Sequence, residues 1–516
     1  MKLGWNIFLF FLLINIIAGG GRLPSSDETS IFLMTENIAL HGKLDIPPGI
    51  IDNGSFWNGK FYSWYEVGQA AFAVPFYYAG YAAAQLLPVP PQYQVLVIKA
   101  VVSTFNAFIG AIVAVLLFSF SKKLGYSNRP SFFLTLSLCI GTNLFPYLKS
   151  FMREPLLSLF LLGGVYFLFS YKSEPTKKKW LVYAGLFAGL GFLTKVTFAL
   201  NIVFLLGYLV FILWKEHRGS PPLIVKECFY FLVPMGLGFA GILVYNYLRF
   251  ANIFDLGYHG GTAFSTPIYV GLYGQLLSSG KSVFLYAPLT ILSFWGFASF
   301  YRVCKTEAIL FLSLILSNLI LYSLYVSWAG EGSWGSRYLI PVLPFAILSI
   351  GMLLNNATRL LKSFAVILTL LGFFVQIGGT AIYLGNYHRE IGEFPYQRTF
   401  DDPEFMYKSH FVPNYSPVLG HWRMALRNLN EHLQGNIPQI SLSGGDQLKR
   451  IPIQSSEQEK LFHTFDFWFS YPYYSGIKSP LPLLILVILV GMLFGQGLRM
   501  RKLINSGADT KLTHKT

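Results

Sequence analysis

The chain has 516 residues, of which 53% are hydrophobic and 12% charged, and its mean hydropathy is +0.50. A soluble globular chain carries about 25% charged residues, so this composition excludes an ordinary soluble domain and reads as a polytopic membrane protein. The net charge of +15 does not point to nucleic acid, because the lysines and arginines sit in short loops between apolar runs, as the positive-inside rule predicts.

A spanning helix needs about 20 apolar residues. In chain order, spans are expected at 4–20, 93–120, 131–148, 155–171, 180–195, 197–214, 223–248, 283–301, 306–326, 338–355, 363–384 and 480–498. The fold class is therefore all-α and polytopic, with about twelve transmembrane helices. The pair 180–195 and 197–214 also reads as one bent element. Residues 1–20 read as a retained first helix rather than a cleaved signal peptide, although Lys2 and the small residues "AGGG" fit either. Residues 67–87 are apolar enough to span, but a span there would invert every later loop. They are expected to lie along the outer interface or dip into it and return. Residues 385–479 are mostly polar and too long for a simple connector. They should form a small outer-face element, with a helix at 421–433. This divides the chain into a membrane module, 1–355, and C-terminal helices with the outer segment, 356–516.

Basic residues set the orientation. Lys122, Lys123 and Arg129 share one loop, and Lys172, Lys177, Lys178 and Lys179 another. Lys215 and Arg218, Arg302 and Lys305, and Arg359 and Lys362 fill three more, and Arg499, Arg501 and Lys502 open the tail. With twelve spans all of these share the side of Lys2, which makes that side cytoplasmic. The alternate loops carry single charges among Gly, Ser, Trp and Tyr: "SSDETS", "SFMREPL", "LTKVT", "YHGGTAFS", "LSSGKSVF" and "WAGEGSWGSRY". Chemistry-bearing residues are thus expected together on the non-cytoplasmic face.

Asp27 and Glu28 stand just beyond the first apolar run. Ser25, Ser26 and Asp27 are all good helix-start caps before "IFLM", yet two adjacent acids at a membrane rim exceed what capping needs. An Asp-Glu pair in the first outer loop of a chain with about a dozen spans resembles the GT-C superfamily, integral membrane glycosyltransferases that use polyprenyl-phosphate-linked sugars. The nearest patterns are the protein O-mannosyltransferases and the aminoarabinose-lipid A transferases, in a prokaryotic branch. "FYSWYEVGQAAFAVPFYYAG", "AGLFAGLGFLTKVTFAL", "GQLLSSGKSVFLYAP" and "WGSRYLIPVLP" follow in the order of that group, across residues 1–355. Residues 385–479 and the last span match no pattern of it.

The resemblance implies a sugar moved, with inversion, from a lipid phosphate to an acceptor hydroxyl. A carboxylate takes the acceptor's proton. By the family pattern Asp27 is that base, Glu28 orients it or the acceptor, and Glu154 fills the acidic position of a later outer loop. The departing phosphate needs fixed cations in a poorly solvated place; Arg153, Lys195, Lys281 and Arg337 are the candidates. Each is equally an interfacial anchor by itself, since a long basic side chain snorkels. Arg153 and Glu154 also read as a local ion pair opening a helix at Pro155. Lys281 in "SSGKS" lacks the strand and glycine spacing of a nucleotide loop. Glu66, Glu331, Trp334 and His259 are candidate substrate contacts; Trp328 and Trp334 equally suit an aromatic belt. His259, His388, His410 and His421 match no zinc spacing, and Cys139, Cys228 and Cys304 outline no metal knuckle; some members of the superfamily use a divalent cation, but those the chain most resembles do not, so the resemblance implies neither a metal nor a cofactor. The sequons at Asn53 and Asn414 are short patterns that chance often produces. The expected partners are a polyprenyl-phosphate sugar, membrane lipids and a lipid, protein or polysaccharide acceptor, in a plasma or inner membrane. A transporter or flippase would place ionisable groups near the midplane in paired halves. A non-catalytic assembly protein of envelope polysaccharide would have no use for Asp27.

Overall fold

The computed structural model describes residues 2–506 except 88, 218–219, 259–262, 356 and 441–455. The chain opens with α1 (Lys2–Ile17) and α2 (Ser26–His41), then an antiparallel hairpin, β1 (Gly54–Trp57) and β2 (Lys60–Ser63). Asn58 and Gly59, at φ +47° and +74°, make the tight turn that an Asn-Gly pair favours. Next come α3 (Gly68–Leu86), α4 (Gln94–Ser103), α5 (Phe105–Lys123), α6 (Asn128–Gly141), α7 (Leu144–Leu148), α8 (Glu154–Ser173), α9 (Lys179–Thr194), α10 (Ala199–Glu216) and α11 (Pro221–Phe250). After these run α12 (Ile268–Leu277), α13 (Val283–Tyr286), α14 (Ser293–Val303), α15 (Lys305–Leu324), α16 (Leu343–Asn355) and α17 (Arg359–Ala381). The C-terminal part holds α18 (Leu384–Glu390), α19 (Tyr407–Phe411), α20 (Pro417–Leu433), α21 (Ser456–Phe462), α22 (Tyr471–Tyr474) and α23 (Leu481–Ser506).

Among the described residues, eight helices are long and apolar enough to cross a membrane, and α1, α9 and α12 are shorter apolar helices. The count of twelve is not reached, and the local reasons are visible. The run 131–148 breaks at Thr142, which is extended and turns its hydroxyl back onto Leu138 O, leaving α6 and α7. The run 283–301 breaks at Pro288 into α13, a short 3-10 turn and α14. The apolar run 67–87 forms α3, which packs on α2 and α4 and is not one of the eight.

α8 is the central post, buried from Glu154 to Val165 and again near its end. It packs on α5 and α9 and on the 3-10 turn Arg337–Val342. Its two ends differ chemically. At the end, Lys172 meets Glu307 at 2.6 Å, Lys123 bonds Ser170 at 2.8 Å, and Lys178 pairs with Glu227. At its start, Arg153 meets Glu66, which follows β2, and the end of α9, and Glu154 meets Arg337. The basic loops and the acid-rich motifs therefore occupy opposite ends of one helix.

The described parts of 381–474 fold back onto the residues leading into α8. Asp466 accepts from Arg22 and Lys149 at 2.8 and 2.7 Å, and Trp468 N donates to Gly19 O at 3.0 Å. α20 lies on α17, with Trp422 stacked on Phe374 at 4.1 Å. The helix expected at 421–433 begins at Pro417, because proline fits a first-turn position that has no N–H to satisfy.

Candidate active site

Ser25 caps α2: its hydroxyl accepts from Glu28 N, while the Glu28 carboxylate accepts from Ser25 N at 3.0 Å. This reciprocal arrangement is a capping box. Glu28 Oε1 also accepts from Phe151 N at 2.7 Å, so this side chain ties α2 to the turn before α8. It is spent on folding, and burial pushes its carboxyl above the usual range despite those bonds. Capping turns the neighbouring Asp27 the other way. Asp27 Oδ2 accepts from Arg337 Nη1 at 3.1 Å, and Oδ1 from Asn53 Nδ2 at 3.0 Å. Asn53 also donates to Tyr65 Oη at 3.1 Å.

Arg337 lies 310 residues from Asp27 along the chain, and its Nε stands 3.8 Å from Glu154 Oε1. Arg153 pairs with Glu66 and lies over the Tyr65 ring at 4.4 Å. Glu66 Oε1 accepts from Val196 N at 2.9 Å and Tyr258 Oη at 3.4 Å. α9 ends at Lys195, whose extended backbone turns its Nζ over the stacked rings of Tyr338 and Tyr322, at 4.6 and 5.2 Å. Among the described residues Lys195 forms no ion pair. Three carboxylates and three cations thus form one cluster, and Lys195, over two aromatic faces and within the field of Glu154, is the cation of the three with no ion pair among the described residues.

Burial works to raise the Asp27 carboxyl, but the Arg337 guanidinium, the Tyr65 hydroxyl and Arg153 together hold it below the usual range. Glu331 is the opposite case: burial, with the nearby charge of Asp27, raises it to about 7 against the pull of Arg337. Lys281 is buried, and burial beside Arg337 lowers it to about 7. Its Nζ donates to the main-chain oxygens of Glu331 and Ser333 at 2.9 and 2.5 Å. Lys281 is therefore a strut under the loop that delivers Arg337, rather than a cation facing the cleft.

Asp27, Glu66, Arg153, Glu154, Lys195 and Arg337 come together; Glu331 stands beside them, and Lys281 stands behind it. Trp334 does not present a free face. Its indole N–H donates to Gln376 at 2.9 Å and its ring meets Tyr286 edge-on at 5.0 Å, so it packs against α17. His259 lies outside the described residues. A cavity of about 110 Å³ opens on the far side of Glu28, between Arg22, Ser25, Lys149, Ser333, Tyr383 and Asp466. Among the described residues one group with metal-ligating atoms within 4.8 Å occurs, Glu216, His217 and Glu227. It sits at the basic end, where Lys178 and Tyr171 already hold Glu227.

Sequence reasoning missed Asn53, Tyr65 and Tyr338. The two tyrosines stand inside motifs that were legible, "FYSWYEVGQ" and "WGSRYL", one residue from Glu66 and Arg337. Asn53 carried no signal beyond its sequon. Asp466, in "HTFDFWF", gave no sign that it would reach Arg22 across 444 residues.

The sequence model of the family described as dolichyl-phosphate-mannose-protein mannosyltransferase matches residues 97–236. That span holds Arg153, Glu154 and Lys195; Asp27 and Arg337 lie outside it. A comparison with curated proteins finds no match. Among solved structures the chain is similar to ArnT from Cupriavidus metallidurans in the apo state, at 12% identity over 95% of this chain and 76% of that one, with a TM-score of 0.49. It is similar to the same protein bound to undecaprenyl phosphate, at 14% identity over 95% and 77%, with a TM-score of 0.45. It is also similar to the oligosaccharyltransferase of Archaeoglobus fulgidus in the apo form, at 10% identity over 82% and 63%, with a TM-score of 0.48. The family match covers 140 of the chain's 516 residues, in a helical chain with eight helices long and apolar enough to cross a membrane among the described residues.

Proposed function

We propose that this chain transfers a sugar from a polyprenyl-phosphate donor to an acceptor hydroxyl, with inversion, at the non-cytoplasmic face of a plasma or inner membrane. The observation that carries the reading is the Asp27–Arg337 contact, at 3.1 Å, with Glu154 on the far side of the guanidinium. It unites the acid of the first motif with the cation of the last. A carboxylate beside a buried guanidinium is the pairing that an anionic leaving group and an incoming hydroxyl both require.

Arg337 and Lys195 are the groups for the donor phosphate, with Arg153 behind them, held by Glu66. When the glycosidic C–O bond breaks, the phosphate gains charge, and Lys195 has no ion pair among the described residues to give up. Asp27 faces the incoming hydroxyl and Asn53 fixes its plane. Glu331 and the polar edge of the cleft lie within reach of sugar hydroxyls. Residues 1–355 are the catalytic module, and the described parts of 385–479 lie against it. The sugar is a hexose or pentose, mannose being the one the resemblance favours, and the acceptor is a lipid, protein or polysaccharide. No metal or cofactor enters this reading. A flippase is disfavoured because the cleft's charges gather at one end of α8 and not midway along it. A non-catalytic assembly role leaves the buried Asp27–Arg337 pair without a purpose.

Asp27→Asn should lower transfer by about a hundredfold or more while the protein still binds undecaprenyl phosphate. Mass spectrometry of envelope glycans and lipids from cells with the wild-type or variant chain reads the first, and binding to the purified protein reads the second. Full transfer by Asp27→Asn would remove Asp27 from the reaction.

A further inference from the structure

The side of α11 that faces away from the bundle is apolar along its length: Val233, Leu237, Val244 and Leu248 are exposed and share one face of the helix. α11 has 30 residues, about 45 Å of helix at 1.5 Å per residue, against a hydrocarbon core of about 30 Å. It runs toward the cleft, where Tyr245 Oη donates to Tyr65 O at 2.8 Å, so its last turn reaches headgroup depth. The apolar stripe does not stop there. Past Ala251 the chain turns back on the end of the helix, with Asn246 Nδ2 donating to Ile253 O at 3.0 Å. Ile253, Phe254 and Leu256 all stay exposed, Phe254 at 78%.

The β1–β2 hairpin belongs to the same surface. Ser55 Oγ donates to Gly257 O at 3.0 Å, and the rings of Trp57 and Tyr62 meet Phe250 edge-on at 6.4 and 5.6 Å. Hairpin, loop and helix end are thus one unit. Phe56, 64% exposed, and Trp57 stand bare next to a polar tip, Asn58, Gly59 and Lys60. Five large apolar side chains bare in two short segments exceed what a water-facing surface carries without a partner. A tryptophan and a lysine beside apolar rings at headgroup depth are the pattern of a segment lying in the membrane interface.

Both strands of this hairpin end in the cleft. Asn53, which donates to Asp27 at 3.0 Å, comes directly before β1, and Tyr65 and Glu66 follow β2. Trp64 ties the two ends together: its main-chain N–H donates to Asn53 O at 3.2 Å and its indole to Ser55 Oγ at 2.8 Å. Arg249 Nη1 donates to Ser63 O at 2.8 Å, and Tyr258, just past the loop, donates to Glu66 at 3.4 Å. The depth at which the hairpin sits therefore sets where Asn53 and Glu66 stand, and through Glu66 where Arg153 stands.

We propose that the hairpin and residues 252–257 form a lipid-binding surface seated in the leaflet at the cleft end, with Trp57 and Phe254 at the boundary of headgroups and acyl chains, and that this seat holds Asn53 and Glu66 in place. The partner is the bilayer and not another protein, because the exposed apolar stripe of α11 runs into this surface without a break, and a protein there would have to displace the lipid around α11. The polar tip at Asn58–Lys60 reaches the headgroups while the rings behind it lie deeper. The seat itself does not depend on the transferase reading above; its effect on the cleft rests on that reading.

The test places the full chain in phosphatidylcholine vesicles whose acyl chains carry bromine close to the headgroups. Trp57 is read as the emission of the wild type less that of Trp57→Phe. That emission should fall by about twofold or more in the brominated vesicles and be little quenched by acrylamide in the water. Trp57 open to acrylamide but not to bromine would put the surface in water. Trp57 hidden from both would put it under another protein or a second copy of the chain. Either result would overturn the seat. Phe56→Asp combined with Phe254→Asp should keep the Tm in detergent within error, since both side chains are bare. In bilayers the double variant should bind undecaprenyl phosphate about tenfold more weakly, with no loss in detergent. Wild-type binding by the double variant in bilayers, or an equal loss in detergent, would overturn the link to the cleft. If wild-type membranes form no more product than membranes lacking the chain, the transferase reading falls and the link falls with it, while the Trp57 measurement still decides the seat.

Discussion

Arg337 decides the chemistry of the cleft, because two carboxylates approach one guanidinium whose exposure is slight. Removing it would leave Asp27 and Glu154 without the one guanidinium both approach, and a poorly solvated charge stripped of its partner is expensive. Arg337→Ala should therefore weaken undecaprenyl phosphate binding by at least about tenfold, roughly 1.4 kcal/mol, measured on the purified protein. Arg337→Lys should restore only part of it, since a point charge cannot serve Asp27, Glu154 and a phosphate through separate N–H groups. Unchanged binding in Arg337→Ala would return this residue to the role of an interfacial anchor. Glu28 shows the limit of reading acids by position alone. It neighbours Asp27 in sequence, but successive residues on a helix point about 100° apart, so one faces the cleft and the other closes the cap. Ser25 three residues before Glu28 was the visible sign of that cap, and it was legible.

Lys195 reaches the cleft because α9 stops there, and α9 is held in place by its seam with α11. Gly185 and Gly189 lie one turn apart on that seam. A Cβ on Gly185 would stand 2.0 Å from Phe231 O, and one on Gly238 would stand 2.3 Å from Gly189 O. Such contact between backbones is what small residues at one-turn spacing allow in a membrane. Gly189→Leu should push the two helices apart and lower the Tm of the detergent-solubilised protein by an overpacking cost of about 1–3 kcal/mol. Gly236→Leu, two residues before Gly238 and with nothing within 4 Å of its added carbon, should leave the Tm within error; equal losses in both would remove the seam as the cause. The spacing stood in "AGLFAG", but which helix would press against it did not. The breaks at Thr142 and Pro288 were harder to see, because hydropathy averaged over a window passes across a single kink.

The C-terminal segment is fastened to the start of the bundle through Asp466, buried between Arg22 and Lys149. Burial opposes its charge, but the two cations prevail and hold its carboxyl far below the usual range. A depressed folded pKa means stability that is present above the unfolded value, near 3.9, and lost as pH falls through the folded value. Docking should therefore persist at mildly acidic pH and weaken only below about pH 4. Asp466→Asn would leave the part-exposed Arg22 and Lys149 without their shared counter-charge, a loss of up to about 3 kcal/mol, and should expose residues 385–479 to limited proteolysis while the membrane helices stay protected. Resistance equal to the wild type would show that α20 on α17 suffices. With the segment loosened, the cover that His388, Tyr396 and His410 form over the loop delivering Arg337 goes too, so transfer should fall in step with cleavage.

Class, element type and the identity of most cleft residues were readable from the string of letters, because hydropathy and charge are summed locally and each motif carries its own reactive group. Pairing was not readable. Asp27 finds Arg337 across 310 positions, and Arg22 finds Asp466 across 444. Such meetings depend on how helices pack and where each one ends. The same packing separates two carboxylates, placing Asp27 against a guanidinium and Glu331 on a strained turn, and so shifts their carboxyls in opposite directions from the usual range.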